Sequence, residues 1–346
     1  MKKKSPVRGW SYFGVRNPEH VARDLDRMVA DGANTVLFTT SEADLVFYAE
    51  TMVELTGLAR EREMTVYMNP WGFGRVFGGE AFSGLLQHHP DTAQMTNTGR
   101  FVPAVCPNHP EFTALLKRWI DLAAEAKADV AMWDEPHFFL GSLDRKQQLS
   151  EDEWVCRCPT CQAKYEKLTG EPMPMKMNFD VRAFREASLV GFLKKLTNYA
   201  HEKGLLNSIC VLPPTWGMDD GFSDLELVYK LPHADIVATD PYWQWHHPEH
   251  DEAWVRRNYE ENTDILLNLS RQYNRETEMW VKNYQTRAGE EFFVDVANEV
   301  LLEKGIQRVL AWSFLGSSYM SSLKSANPLL LHEKQSAWFK KMAAKK

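Results

Sequence analysis

Eight short runs of β-prone residues alternate with long amphipathic segments along the chain, and this alternation restricts the fold more than any other feature. The runs are GWSYFGV (9–15), NTVLFTT (34–40), TVYMNPW (65–71), DVAMWDE (129–135), NSICVLPP (207–214), DIVATDPYW (235–243), EMWVKNYQ (278–285) and RVLAWSF (308–314). Between them lie helical stretches such as 20–32, 111–127 and 184–204. In the first of these, Val21, Leu25, Met28 and Val29 share one face and Gly32 supplies a stop, as Gly204 and Gly305 do elsewhere. Strand–helix alternation requires parallel strands joined by crossovers. Eight units in 346 residues predict an α/β (β/α)8 TIM barrel, one catalytic barrel spanning 1–346. A Rossmann-like sheet is the competing arrangement, but no GxGxxG follows a strand, and GFGRVFGG at 72–79 lacks the spacing. No linker, repeat or low-complexity segment marks a second domain.

Two insertions interrupt the pattern, at 72–110 after the third run and 136–178 after the fourth, and both read as non-helical. Loops of that length usually have a function. The second holds CRCPTC (156–161), three of the chain's five cysteines, and the first ends near Cys106. The start, MKKKSPVRGWSYFGV, has no apolar run behind its basic residues, and no stretch approaches the ~18 apolar residues of a membrane span. The expectation is a cytoplasmic protein, in which clustered thiols are metal sites or catalytic ones rather than disulfides. In a barrel the two insertions leave neighbouring strands on one face, where four thiolates could bind structural Zn²⁺ and staple the loops. Unpaired surface thiols are the alternative. Cys210, inside the fifth run, reads as a core residue. A formal net charge of −7 argues against nucleic-acid or anionic-membrane partners.

The segment FVPAVCPNHPEFTALLKRWIDLAAEA, then a strand ending in an acidic motif, then CRCPTCQAKYEKLTG, resembles the metal-binding region of the family 42 glycoside hydrolases. The resemblance covers roughly residues 100–170. That family consists of (β/α)8-barrel β-galactosidases, and the match implies zinc held by Cys106, Cys156, Cys158 and Cys161. The fourth run ends in AMWDEPHFF (131–139), where barrel enzymes keep catalytic residues. WDEP is similar to the Asn-Glu-Pro of the wider clan, with Asp in place of Asn, which implies Glu135 as the proton donor. Such a donor needs a raised pKa, which an apolar wall and the adjacent Asp134 favour.

A second carboxylate must face the first across the sugar. The clan places a nucleophilic Glu after the seventh strand, but this chain has WVKNYQTR (280–287) there, and Glu290 and Glu291 come too late. Asp240 in ATDPYW is the substitute, either as a nucleophile or as a base that activates water. Two other divisions stay open. Asp134 attacks with Asp240 as acid/base, or Asp134 steers a substrate N-acetyl group, as in barrel hexosaminidases that carry Asp-Glu after strand four. Aromatic residues gather at the ends of the runs: Trp10, Tyr12, Trp71, Trp216, Tyr242, Trp243, Tyr284 and Trp312. Sugar C–H faces stack on such rings, while Asn69, His137, Lys282, Asn283 and Gln285 are candidate partners for the hydroxyls. The sequence WHHPEHDE (245–252) reads as a solvated loop.

The function expected is a glycosidase acting on a small oligosaccharide or glycoside, with carbohydrate as its partner and homo-oligomerisation left open. The alternatives are a non-hydrolytic carbohydrate-binding barrel and a sugar isomerase, aldolase or lyase that uses Lys282.

Overall fold

The computed structural model describes residues 5–141, 148–243 and 250–344. Its core is a closed barrel of eight parallel strands. In chain order the strands are β1 (Val7–Tyr12), β2 (Thr35–Thr40), β3 (Thr65–Pro70), a hairpin pair β4 (Ala93–Met95) and β5 (Phe101–Val105), β6 (Val130–Asp134), β7 (Leu206–Val211), β8 (Ile236–Thr239), β9 (Glu276–Lys282) and β10 (Arg308–Trp312). The barrel runs β1-β10-β9-β8-β7-β6-β3-β2 and closes through β1 with β2, while β4 and β5 form a separate antiparallel pair. All eight runs read from the sequence are barrel strands. No described helix is long and apolar enough to cross a membrane.

Side-chain alternation divides each strand between two layers. On β2, Val36 and Phe38 face the helices, while Leu37 faces the barrel interior. Helix Pro18–Ala30 shows how the outer layer is specified. Asn17 accepts hydrogen bonds from the N–H groups of Glu19 and His20, Pro18 fixes the first turn, and Val21, Leu25 and Met28 are buried. Val29, expected on that face, is 42 % exposed at its edge.

Inside the barrel, toward the strand starts, lies an ionic cluster. The Tyr67 hydroxyl and the Ser208 hydroxyl donate to Glu278 at 2.8 and 3.1 Å, and Arg308 Nε donates to the same carboxylate at 3.4 Å. Arg308 also contacts the Tyr67 hydroxyl and donates to Glu276 at 2.6 Å. A buried charge is tolerated only when it is satisfied in this way.

The insertions are less irregular than expected. The first carries helix Gly84–His88 and the β4–β5 hairpin, and the second carries helix Pro159–Thr169, which ends on Gly170 at φ 80°. They are tied together by the Arg157 N–H donating to Met95 O at 2.8 Å and the Asn97 N–H donating to Trp154 O at 3.0 Å. An Arg100–Glu153 ion pair at 2.7 Å adds to this. Buried residues of both insertions, including Trp154 and Met173, belong to the hydrophobic cluster that lines the helix layer.

Candidate active site

The turn after β6 is held from two sides. The Glu135 N–H donates to Cys210 O on β7 at 2.8 Å, and the Gly78 and His137 N–H groups donate to Asp134 O and Val76 O at 2.9 and 3.0 Å. Between these anchors Glu135 has φ 41°, a left-handed conformation that costs a non-glycine residue energy. The result turns consecutive side chains, Asp134 and Glu135, toward the same space. Both are half-buried and line a cavity of about 210 Å³ at the C-terminal mouth of the barrel. Asp240, just beyond β8, lines it from the other side and is 6 % exposed.

The Glu135 and Asp240 carboxyls lie against each other in the cavity, close enough for one to donate a proton to the other. Burial raises the Glu135 pKa to about 7; the bond to Asp240 pulls against that shift, while Glu80 and Asp220 reinforce it. Asp240 and Asp134 are also raised, first by burial and then by the charges of neighbouring carboxylates. The enclosure of the cavity mouth raises Glu80 too, although its side chain still meets solvent, and burial raises Asp220 to about 6. Four of these carboxyls line one mouth of the barrel and Asp220 lies near it; Glu80 and Asp220 make Glu135 harder to ionise, and Glu135 does the same to Asp134 and Asp240.

His137 differs in kind. Burial lowers its pKa to about 4, so the ring is neutral at pH 7. Its Nδ1 contacts the Glu135 backbone carbonyl, which can only accept, so Nδ1 carries the hydrogen and Nε2 is the acceptor.

Of the aromatic candidates, Trp216, Tyr242, Tyr284 and Trp312 line the cavity, as His137 does. Trp71 stands beside it in a ring stack. Phe13 lies 5.5 Å from both the Trp71 and Trp312 rings, each at 21°. The remaining expectations need correction. Trp10 and Tyr12 point outward from β1, because the pleat sends Phe13 rather than its neighbour inward. Trp10 stacks on His332 at 4.8 Å, and the Tyr12 hydroxyl donates to Asp24 at 2.6 Å. Trp243 is wholly buried against Phe293. Asn69 and Asn283 are fully buried and outside the cavity lining. Gln285 is exposed and donates to Ser322 O at 2.8 Å.

Lys282 is fully buried and is not part of the lining. Its ammonium lies 5.3 Å from the rings of both Trp243 and Tyr284 and donates to Gln285 O at 3.2 Å. A Schiff-base role for Lys282 lacks the access that such chemistry needs. His250, expected in solvent, has its side chain buried 3.2 Å from Glu290, while His246 and His247 lie outside the described residues.

Sequence reasoning did not find Arg75, Gly78, Glu80, Phe139 or Trp280 in the lining. Trp280 was accessible in principle, since it precedes Lys282 by two on β9 and lies inside the barrel. The glycines of GFGRVFGGE were the sign of close approach around Arg75 and Glu80.

Cys106, Cys156, Cys158 and Cys161 are buried and free of disulfides, and their sulfurs all lie within 4.8 Å of one another. Cys106 Sγ and Cys161 Sγ are 3.4 Å apart. Tetrahedral zinc with Zn–S bonds of about 2.3 Å sets its sulfurs roughly 3.8 Å apart, so the set fits a tetrahedral metal. Sulfur neighbours push the Cys106 thiol up and drive Cys158 well down, and burial raises Cys156. The Asn108 amide donates to Cys161 Sγ at 3.3 Å and accepts from the Lys164 ammonium at 2.5 Å, which brings positive charge toward the thiols. A polar link joins this region to the cavity. Gln94 on β4 accepts from the N–H of Phe139, a lining residue, and donates to Val105 O, both at 3.1 Å.

No family model and no curated protein matches this chain. Among solved structures it is similar to the endo-1,4-β-mannanase of Rhizomucor miehei, at 11 % identity and TM-score 0.65, covering 100 % of this chain and 97 % of that one. It is also similar to the β-amylase catalytic domain of Paenibacillus polymyxa, at 9 % identity and TM-score 0.61, covering 88 % and 91 %. A D-allulose 3-epimerase from Methylomonas sp. matches at 11 % identity and TM-score 0.50, covering 98 % of each chain. At such identities the likeness establishes the fold, an eight-stranded β/α barrel shared by glycosidases and sugar epimerases.

Proposed function

We propose that this protein is a glycoside hydrolase in which Glu135 protonates the departing glycosidic oxygen and Asp240 acts on the opposite face of the sugar. The observation that carries the reading is the Glu135–Asp240 pair, which opens into a cavity walled by Trp216, Trp312, Tyr242 and Tyr284. A carboxyl whose pKa is about 7 is poised to donate at neutral pH. Cleavage with retention needs carboxyls about 5 Å apart, and inversion about 6.5–9.5 Å. A sugar entering the cavity must therefore part the paired carboxyls, and the acid role needs the shared proton, which the pairing favours on Asp240, to pass to Glu135. Asp134 is left to orient the sugar, and the neutral His137 steadies the Glu135 backbone. The mannanase and amylase neighbours support this reading at the level of fold.

The cysteine set is proposed as a structural zinc site, in line with the family 42 resemblance. Cys106, Cys156, Cys158 and Cys161 would hold the ion, which supplies no step of the reaction. Its contribution is to fix the two insertions from which Glu80 and Phe139 reach the cavity.

The test is a panel of aryl glycosides of neutral, N-acetylated and free-amino sugars. Release of the aryl group from at least one, lost about 10²–10⁴-fold in Glu135→Gln, is the expected result. Undiminished activity in that variant would refute the role given to Glu135.

A further inference from the structure

The cavity gathers more carboxyls than two-carboxylate cleavage requires. Beyond Glu135 and Asp240, it is lined by Asp134 and Glu80, against the single guanidinium of Arg75 among the described residues. Arg75 donates to Gly79 O at 3.4 Å and forms no ion pair with these four among the described residues. His137 is neutral and offsets nothing. Asp240 Oδ1 is buried with no hydrogen-bond partner among the described residues, although the residue faces the cavity. The oxygens are not gathered as a metal ion would need. Among the described residues, three or more ligand atoms come within 4.8 Å of one another only at the four cysteines. Much of the rest of the wall is aromatic, beside aliphatic Met132, Leu140 and Leu212, and ring faces attract organic cations.

Building on the glycosidase reading, we infer that the sugar bound beside Glu135 carries a protonated amine, so that the substrate is an amino-sugar glycoside with a free amino group. Asp134 is its partner. A hydrogen replaced by a methyl group on Gly78 would stand 2.9 Å from Asp134 Oδ2 and 3.1 Å from Glu135 Oε2, so the two carboxyls border the same spot. A proton donated by Glu135 goes to the oxygen on the anomeric carbon. The substituent on the adjacent carbon therefore comes within reach of Asp134. Burial first and repulsion second hold these carboxyls protonated; an ammonium there offsets both, an acetamide does not, and a uronate adds to the repulsion.

Calorimetric titration of glucosamine, N-acetylglucosamine and glucose at about pH 6.5 tests this, since an aliphatic amine of pKa about 7.7–8.0 is charged there. Glucosamine should bind about tenfold more tightly than the other two, with the preference reduced in Asp134→Asn and in Glu80→Gln. Glu80 is exposed in the cavity, so its variant carries little folding risk. Equal affinities, or a preference that survives both substitutions, overturn the inference. The two readings fail separately. A glucosamine preference without cleavage of any glycoside removes the hydrolase reading alone. Cleavage of neutral glycosides faster than glucosaminides removes the amine alone.

Discussion

A hydrogen at Gly78 is what lets Asp134 and Glu135 stand side by side, since a methyl group there meets oxygens of both at 2.9 and 3.1 Å. The clash is with movable carboxyls rather than with backbone. Gly78→Ala should therefore displace these two side chains without unfolding the chain. A fall in kcat of about ten- to a hundredfold with an almost unchanged melting temperature is the expected outcome of paired kinetic and thermal assays. Glu135 gives a second residue-level prediction. Its folded pKa, about 7, lies above the ordinary 4.5, so the folded chain retains a proton that the unfolded chain has released. Stability should therefore fall as pH rises from about 4.5 to 7. Denaturant titrations across that window should show a shallower fall in Glu135→Gln than in the wild type. The same protonation predicts that kcat/KM declines above about pH 7, where the donor is lost.

At the scale of elements, the cysteine cluster joins two insertions that pack through few strands of their own. Cys156→Ser should lose bound zinc in metal analysis. It should also open 72–110 and 136–178 to limited proteolysis while the barrel resists, and activity should drop because Gln94 no longer steadies Phe139. Metal retained at full stoichiometry in that variant would contradict the ligand set.

What could be read from sequence at this scale follows from periodicity. The barrel strands were legible because each is an apolar run buried on both faces and followed by an amphipathic helix. Facing was harder. From the sequence Trp10 and Tyr12 read as rim residues, whereas the pleat assigns Phe13 inward, a one-residue shift that reverses every side chain. The helix Pro159–Thr169 carried visible signals, Pro at its first turn and Gly170 at its end, which the cysteine spacing overshadowed. The β4–β5 hairpin was not legible, since a three-residue strand such as Ala93–Met95 has no period to detect. The placement of Asp134, Glu135 and Asp240 at the barrel mouth was legible because acids at the C-terminal ends of barrel strands have few packing roles. Glu80 was hidden because its place depends on how the first insertion folds back.

Across the whole molecule, charge is arranged at both ends of one barrel. The end nearer the strand starts is satisfied, with Glu278 held by Tyr67, Ser208 and Arg308. Glu278→Leu should cost about 3–5 kcal/mol in urea denaturation, because the Arg308 and Tyr67 groups are left without their buried acceptor. At the other end no cation pairs with the cavity carboxyls among the described residues, and burial favours their protonated forms. The central claim is that Glu135 and Asp240 divide acid and opposite-face roles in glycoside cleavage. It is tested most directly by comparing two aryl glycosides of one sugar, one with a dinitrophenyl leaving group and one with a poor leaving group. Glu135→Gln should cleave the activated compound almost as fast as the wild type and the poor one about 10²–10⁴-fold more slowly, while Asp240→Asn loses both. Equal losses on the two compounds in Glu135→Gln, or full activity in Asp240→Asn, would contradict the account.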